Sequence, residues 1–392
     1  MSVGASTAPT STETAIITIA MAISKFKNRI IRLLEGTGIQ IDGPHPWDFQ
    51  IHNQHFYRRV IAHGSVGLGE SYMQGWWDAQ DLDGMIYRLL MANLEEKVLT
   101  LDTLLTFLHA RFFNLQKPAR AFDIGRRHYD MGNELYKQML GKRLVYSCGY
   151  WKNADNLDAA QEAKLELVFQ KLGLKPGMRV LDIGCGWGET LKLAAQRYGI
   201  TGVGITVSEQ QAAYGRELCK SLPIEIRLQD YRQLGEQFDR ILSIGMFEHV
   251  GYKNYETYMR VVRKCLKNDG LFLLHTIGGN QSVRDTDSWI EKYIFPNGML
   301  PSIKQITAAS EDLFIMEDWH NFGIYYDRTL QAWRHNFENN WDKLKQQYNE
   351  TFHRMWRYYL SISMASFRAR KNQLWQVVFS PNGVPGGYRA PR

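Results

Sequence analysis

The sequence predicts an α/β chain: a Rossmann-like parallel sheet, covered by helices on both faces, behind a smaller and mainly helical N-terminal domain. Three observations carry this prediction. Strand and helix patterns alternate from Met178 to Thr276, a glycine-rich turn joins the first of those strands to the next helix, and the stretch from about Lys25 to Phe113 is mostly helical in its periodicity. Alternation of this kind gives parallel strands joined by helical crossovers, whose ligands sit beyond the carboxyl ends of the strands.

Residues 1–24 read as a Ser/Thr/Ala-rich disordered tail. The apolar run Ala15 to Ile23 has no basic residue before it and is followed by Lys25, Lys27, Arg29 and Arg32, the reverse of a secretory signal, and it is too short to span a bilayer. Residues 25–115 form the small domain, opening on an amphipathic helix through Ile30, Ile31, Leu33 and Leu34. A strand or two is expected around Trp47 to Arg59, and a Gly-rich turn at Gly64 to Gly69. Leu82, Met85, Ile86, Leu89, Leu90 and Met91 recur at helical spacing, which favours core. Adjacent Trp76 and Trp77 cannot both point inward from one helix face, so one of them is available to an interface or to membrane headgroups.

A basic linker, residues 116–127, leads into a domain of residues 128–392. His128 to Asn133 opens a helix, Tyr146-Ser-Cys-Gly-Tyr-Trp151 lies on a turn, and residues 158–172 form a helix. Strands are expected at Met178 to Ile183, Gly202 to Thr206, Glu225 to Leu228, Phe238 to Ile244 and Leu271 to Thr276, with helices at about 189–198, 208–220 and 253–267. Tyr293 to Gly298 is turn-rich and a lid candidate. A long helical region from Arg328 to about Arg370 carries Trp333, Phe337, Trp341, Tyr348, Phe352, Trp356 and Tyr359 as a stripe, either core or the wall of an acyl-chain tunnel. Leu374 to Ser380 reads as a last strand.

The first strand runs into Gly184-Cys-Gly-Trp-Gly188, where glycines supply positive φ and let backbone approach a ligand at a helix N-terminus. Gly-x-Gly-x-Gly is tighter than the dinucleotide fingerprint and suits a cofactor without a pyrophosphate, S-adenosylmethionine above all. An ordinary tight loop would show the same glycines, but the other strand ends are also loaded. Thr206 with Ser208 to Gln211, then Gln229-Asp230-Tyr231, then Glu248-His249, then His275 follow in order.

Composition narrows the partners less. A net charge of +7 in 392 residues fits nucleic acid, an anionic membrane surface or a mildly basic enzyme. Cys148, Cys185, Cys219 and Cys265 lack metal or redox spacing and read as reduced cytosolic thiols, and no metal site is expected.

With the glycine turn, Tyr146-Ser-Cys148, Phe247-Glu-His249, Leu274-His-Thr-Ile277 and Glu317 to Tyr326 in this order, the sequence resembles the cyclopropane-fatty-acyl-phospholipid synthases from about residue 25 to 380. The resemblance implies a transferase that moves a methylene group from S-adenosylmethionine to a cis double bond of a phospholipid acyl chain. It implies a cofactor set of Tyr146, Ser147, Asp182, Gly184, Gly186, Gly188, Gly204, Thr206, Val207, Gln211, Asp230 and Tyr231. It further implies a bicarbonate cage of Cys148, Glu248, His275, the Ile277 backbone and Tyr326, with Glu248 as direct base the runner-up. Where some members carry a cysteine near the C-terminus this chain has Ser363, so no step can depend on that thiol. Peripheral association with the inner, cytoplasmic face of an anionic membrane is expected, nucleic acid is not, and a homodimer is left open. The rival reading is a methyltransferase that stops at a methylated product.

Overall fold

The computed structural model describes residues 24–94, 132–283 and 286–392. The chain divides into two units, Met1–Leu105 and Thr106–Arg392. The expected tail up to residue 23, the linker at 116–127 and the stretch 128–131 lie outside the described residues.

In the first unit, α1 (residues 24–34) buries Ile30 and Leu34. The strand expected around Trp47 to Arg59 is short: β1 (Gln50–Ile51) pairs antiparallel with β2 (Trp77–Asp78). The expected turn at Gly64 to Gly69 is instead part of α2 (His55–Met73), broken only at Gly64, where φ is 53° and ψ −126°. Across that break the chain folds back so closely that a Cβ on Gly67 would lie 2.4 Å from the Arg59 carbonyl oxygen. These glycines serve a close internal approach and not an exposed loop. Of the two tryptophans, Trp77 is the buried one. It packs on Phe49 and Tyr72, and its indole N–H donates to Ser71 Oγ at 3.0 Å. Trp76 is half-buried beneath the Arg59 guanidinium. α3 (Leu82–Met91), whose first turn is capped by the Asp81 carboxylate, buries Leu82, Met85 and Ile86 and leaves Met91 exposed.

The second unit begins with α4 (Asn133–Leu140) and α5 (Leu157–Leu172), then alternates β3 (Arg179–Ile183), α6 (Glu189–Tyr198), β4 (Thr201–Thr206), α7 (Glu209–Cys219), β5 (Ile224–Leu228), β6 (Phe238–Ile244), α8 (Tyr255–Cys265) and β7 (Leu266–Gly279). After α9 (Ser288–Tyr293) and α10 (Ile303–Ser310) comes β8 (Ile315–Asn321), a strand the sequence reading did not place. Next are α11 (Ile324–Asn339), α12 (Trp341–Leu344), α13 (Glu350–Arg368) and β9 (Asn372–Ser380). The seven-stranded sheet has the order β5-β4-β3-β6-β7-β9-β8. The first five strands are parallel, and β9 joins β7 and β8 antiparallel. Apolar side chains on both faces, such as Leu181 and Ile183 on one and Val180 and Leu242 on the other, feed two separate cores.

The helical region expected from Arg328 to about Arg370 divides into three helices. Asn340 ends α11, its amide donating to the carbonyls of Gln138 and Asn336, and Asn349 caps α13 by accepting from the Phe352 N–H. Trp333, Phe337, Trp356 and Tyr359 of the aromatic stripe are buried, while Trp341, Tyr348 and Phe352 are partly exposed. The C-terminal residues strap the sheet edge: Arg392 pairs with Asp318, which also accepts from the buried Lys171 ammonium at 3.0 Å, and Tyr388 donates to the Lys171 carbonyl.

Near the open end of β7, a Cβ on Gly278 would lie 1.9 Å from the buried ring of Trp375. Gly278→Ala should therefore lower unfolding free energy by about 1–3 kcal/mol, the usual range for overpacking, as measured by urea denaturation.

Candidate active site

The loop after β3 takes its shape from its glycines. Gly184, Gly186 and Gly188 have φ of 84°, 55° and 87°, a region that side chains with a Cβ rarely adopt. Gly184 is also pressed against the loop after β6, where an added Cβ would meet Met246 Cβ at 2.7 Å. Gly186 has nothing within 4 Å of that position, so its backbone is open. Above this turn lies a cleft lined by Tyr146, Ser147, Asp182, Gly184, Gly186, Thr206, Val207, Gln211, Asp230 and Tyr231. These ten come from the set expected to hold cofactor. The other two stand back from the cleft: Gly204 is inside β4 against Ile226 and Cys185, and Gly188 caps α6 beside Cys219.

Within the cleft wall, Thr206 Oγ1 donates to Gln211 Oε1 at 2.8 Å, and Asp230 is held by the Arg232 N–H and guanidinium. Burial raises the Asp182 carboxyl to about 7 against the opposing pull of the Lys164 ammonium, and its Oδ1 is buried without a hydrogen-bond partner. Tyr146 donates to or accepts from Tyr359 across 2.7 Å, and burial drives its phenol well up.

The five residues expected to do chemistry do not line this cleft; they lie beside it. Glu248 follows β6 in a single 3-10 turn between the cleft residues Met246 and His249. Its Oε1 accepts the Ile277 N–H at 2.7 Å, and its Oε2 is buried and unpartnered. Burial lifts this carboxyl to about 7, with the Ile277 N–H acting in the opposite direction. The Ile277 N–H is thus taken by Glu248. His275 is not at a strand end as expected, because β7 runs on to Gly279; it pairs with Ile244, level with the end of β6. Burial first, then the charges of Lys164 and Lys171, hold its imidazole neutral. With the Gln376 amide donating to Nδ1 at 3.3 Å, the ring proton is on Nε2, which is buried without a partner.

Cys148 is buried, its thiol donating to the Gly149 carbonyl and lying 3.7 Å from Thr329 Oγ1; burial pushes the thiol far up, so it stays protonated. Tyr326, in the first turn of α11, packs its ring on Phe367 at 4.4 Å and near Trp333. The lid candidate contributes Phe295, which touches both His249 and Tyr359.

Two residues went unnoticed in the sequence. Thr329 Oγ1 accepts from the Gly149 N–H and the Trp151 indole and donates to the Tyr325 carbonyl, knotting the 148–151 segment to α11; nothing in a mid-helix threonine signals this. Lys164, fully buried on α5, donates to Ser147 Oγ at 2.8 Å. It is buried together with Leu157, Gln161, Leu165 and Val168, but this helix has no clear apolar stripe in its sequence to mark the position. Among the described residues no cluster of His, Cys, Asp and Glu could hold a metal ion, and no helix is long and apolar enough to cross a membrane.

Comparison with known proteins gives a consistent answer. Residues 116–377 match the family described as mycolic acid cyclopropane synthetase. The chain is 52% identical over 362 residues to the cyclopropane-fatty-acyl-phospholipid synthase of Escherichia coli (strain K12), covering 92% of this chain and 94% of that one. It superposes on the cyclopropane synthase MmaA2 from Mycobacterium tuberculosis with a TM-score of 0.63 at 30% identity, over 66% of this chain and 97% of the other. A crystal structure of the mycolic acid cyclopropane synthase CmaA1 complexed with SAH and CTAB gives 0.62 at 31% identity, over 66% and 97%. The Rossmann-like methyltransferase fold expected from the sequence is the one these structures share.

The raised carboxyl of Glu248 makes a pH signature. In the folded chain it keeps its proton to about pH 7, whereas the ordinary value is 4.5, so the folded state binds more protons between those values. The contribution is fully present below pH 4.5 and is lost as pH rises to about 7. Urea titrations should therefore show the unfolding free energy of wild type falling relative to Glu248→Gln across this window, with a level difference on either side. A level difference throughout would mean that the carboxyl titrates normally.

Proposed function

The chain belongs to the mycolic acid cyclopropane synthetase family, and we propose that it transfers a methylene group from S-adenosylmethionine to the cis double bond of an unsaturated acyl chain in membrane phospholipid, forming a cyclopropane. It is an S-adenosylmethionine-dependent transferase. The observation that carries the finer reading is Glu248, a buried carboxyl with one oxygen unpartnered, set next to the glycine-turn cleft.

The cleft fits the cofactor: Gly186 offers open backbone, Asp182 Oδ1 is a buried acceptor without a partner, and Ser147 and Gln211 add polar side chains. When bound, the cofactor supplies an electrophilic methyl group on a sulfonium. An isolated alkene is a weak nucleophile, so the chain's part is to exclude water and hold the two reactants in line. Aromatic faces suit the cation that develops on the lipid; Tyr146, Trp333, Tyr326 and Phe367 form one such contiguous wall. Ring closure then needs one proton removed from the new methyl group, and a base near 7 is matched to that task.

Bicarbonate as that base is supported by the two orphaned atoms. His275 Nε2 is an unpaired donor and Glu248 Oε2 an unpaired acceptor, the complement of an ion with acceptor oxygens and one hydroxyl. Cys148 and Tyr326 would complete the cage, and Ile277 contributes through its hold on Glu248. Because the Cys148 thiol stays protonated, it does not serve as a nucleophile. We assign residues 25–115 to lipid engagement and 128–392 to catalysis, with peripheral attachment to the cytoplasmic face of an anionic membrane. The net charge of +7 supports that attachment.

Lipids from cells expressing the chain should contain acyl chains heavier by one CH2 that resist the hydrogenation which saturates an alkene. On vesicles, wild type in carbonate-depleted buffer should slow and recover with added bicarbonate, while Glu248→Gln loses roughly tenfold to hundredfold in rate, the weight of a charged hydrogen bond of about 1.5–3 kcal/mol. Equal wild-type rates with and without bicarbonate would leave Glu248 itself as the base.

A further inference from the structure

Lys164 has no exposed surface, yet an ammonium is expensive to bury without partners. Among the described residues its hydrogen-bond partner is a neutral hydroxyl, Ser147 Oγ at 2.8 Å, and no carboxylate lies within ion-pair distance. One turn earlier on the same helix, Gln161 Nε2 donates to the Ser147 carbonyl at 2.8 Å. Helix α5 thus fixes both the backbone and the side chain of one residue in the cleft wall.

The chemistry of that contact has a direction. Desolvation lowers the Lys164 amine to about 7, and an anion bound in front of Ser147 favours its charged form; as an ammonium it carries only donors, so Ser147 Oγ then accepts from it and the hydroxyl's own proton points elsewhere. Ser147 faces the cleft. A hydroxyl with a cation behind it and its proton toward a cavity is a donor prepared for an anionic acceptor.

We propose that Lys164 is a positioning residue that polarises Ser147 to bind the carboxylate at the amino-acid end of the cofactor. This rests on the reading that the cleft takes S-adenosylmethionine. Lys164 itself touches no ligand; it acts through Ser147, and its effect is confined to ligands that carry the carboxylate.

Calorimetric titration of the full chain with S-adenosylhomocysteine and with 5′-methylthioadenosine, which lacks the amino-acid end, separates the possibilities. Lys164→Met keeps most of the length of the side chain without its donors. It should weaken S-adenosylhomocysteine binding about tenfold or more, as expected for a charge-assisted bond, and leave 5′-methylthioadenosine within about twofold. Ser147→Ala should show the same selectivity, and the double variant should be no weaker than the worse single one. If Lys164→Met does not fold, Lys164→Gln, which can still donate to Ser147 but carries no charge, decides by the same ligand comparison. Equal losses for both ligands, no loss for S-adenosylhomocysteine, or additive losses in the double variant would overturn the proposal. Wild type that binds neither ligand would overturn the reading of the cleft and this proposal with it.

Discussion

The hydrogen bond from the Ile277 N–H to Glu248 Oε1 ties the loop after β6 to β7 and holds a carboxyl out of water. Most of the site depends on it. The bond fixes the short turn that carries Met246 and His249 into the cleft wall, and Met246 in turn closes on Gly184, where no side chain fits. The carboxyl so held is raised to about 7 by burial, which leaves it able to take a proton near neutral pH. A solvated glutamate at the same point would have a value too low to be an effective base.

Burial of charge recurs through the second unit and gives it its electrostatic character. Lys164 and Lys171 both lie inside, lowered by desolvation to about 7 and about 8, and both push His275 toward its neutral form. Their partners differ. Lys171 meets Asp318, which Arg392 of the C-terminal strap also engages, a closed structural group at the sheet edge. Among the described residues Lys164 hydrogen-bonds to the Ser147 hydroxyl, on the side of the cleft, and its field reaches Asp182 and Cys148. One buried lysine is thus satisfied by the fold, while the other is arranged toward the site.

What could be read from the sequence was local. The βα alternation and the glycine turn are patterns within one stretch of chain, and the rule that ligands gather at strand ends points without knowledge of packing to Thr206 and Asp230, which line the cleft, and to Glu248, which lies beside it. What could not be read depends on contacts distant in sequence. β8 begins with exposed Ile315 and Met316 at a sheet edge and has no alternation to mark it; its pairing with β9 makes it a strand. The break at Asn340 is set by carbonyls on α4 and α11, and the helical character of Gly67 by its approach to Arg59. The residues around His275 do not themselves show that β9 extends the ladder to Gly279, so its position inside β7 is not legible locally. Thr329 takes two bonds from the distant 149–151 segment and gives one to the Tyr325 carbonyl in its own helix, a role its position in a helix does not announce.

Ring closure as proposed requires a base beside the cleft to remove a proton from the transferred carbon. The measurement that tests it most directly uses a cofactor whose reactive methyl carries three deuterons, with purified chain and vesicles of unsaturated phospholipid. Mass spectrometry of the product should show two deuterons retained on the added carbon, the third lost as the ring closes. Retention of all three would mean that the methyl group stays whole, and the account of Glu248 and His275 as the site of proton removal would be contradicted.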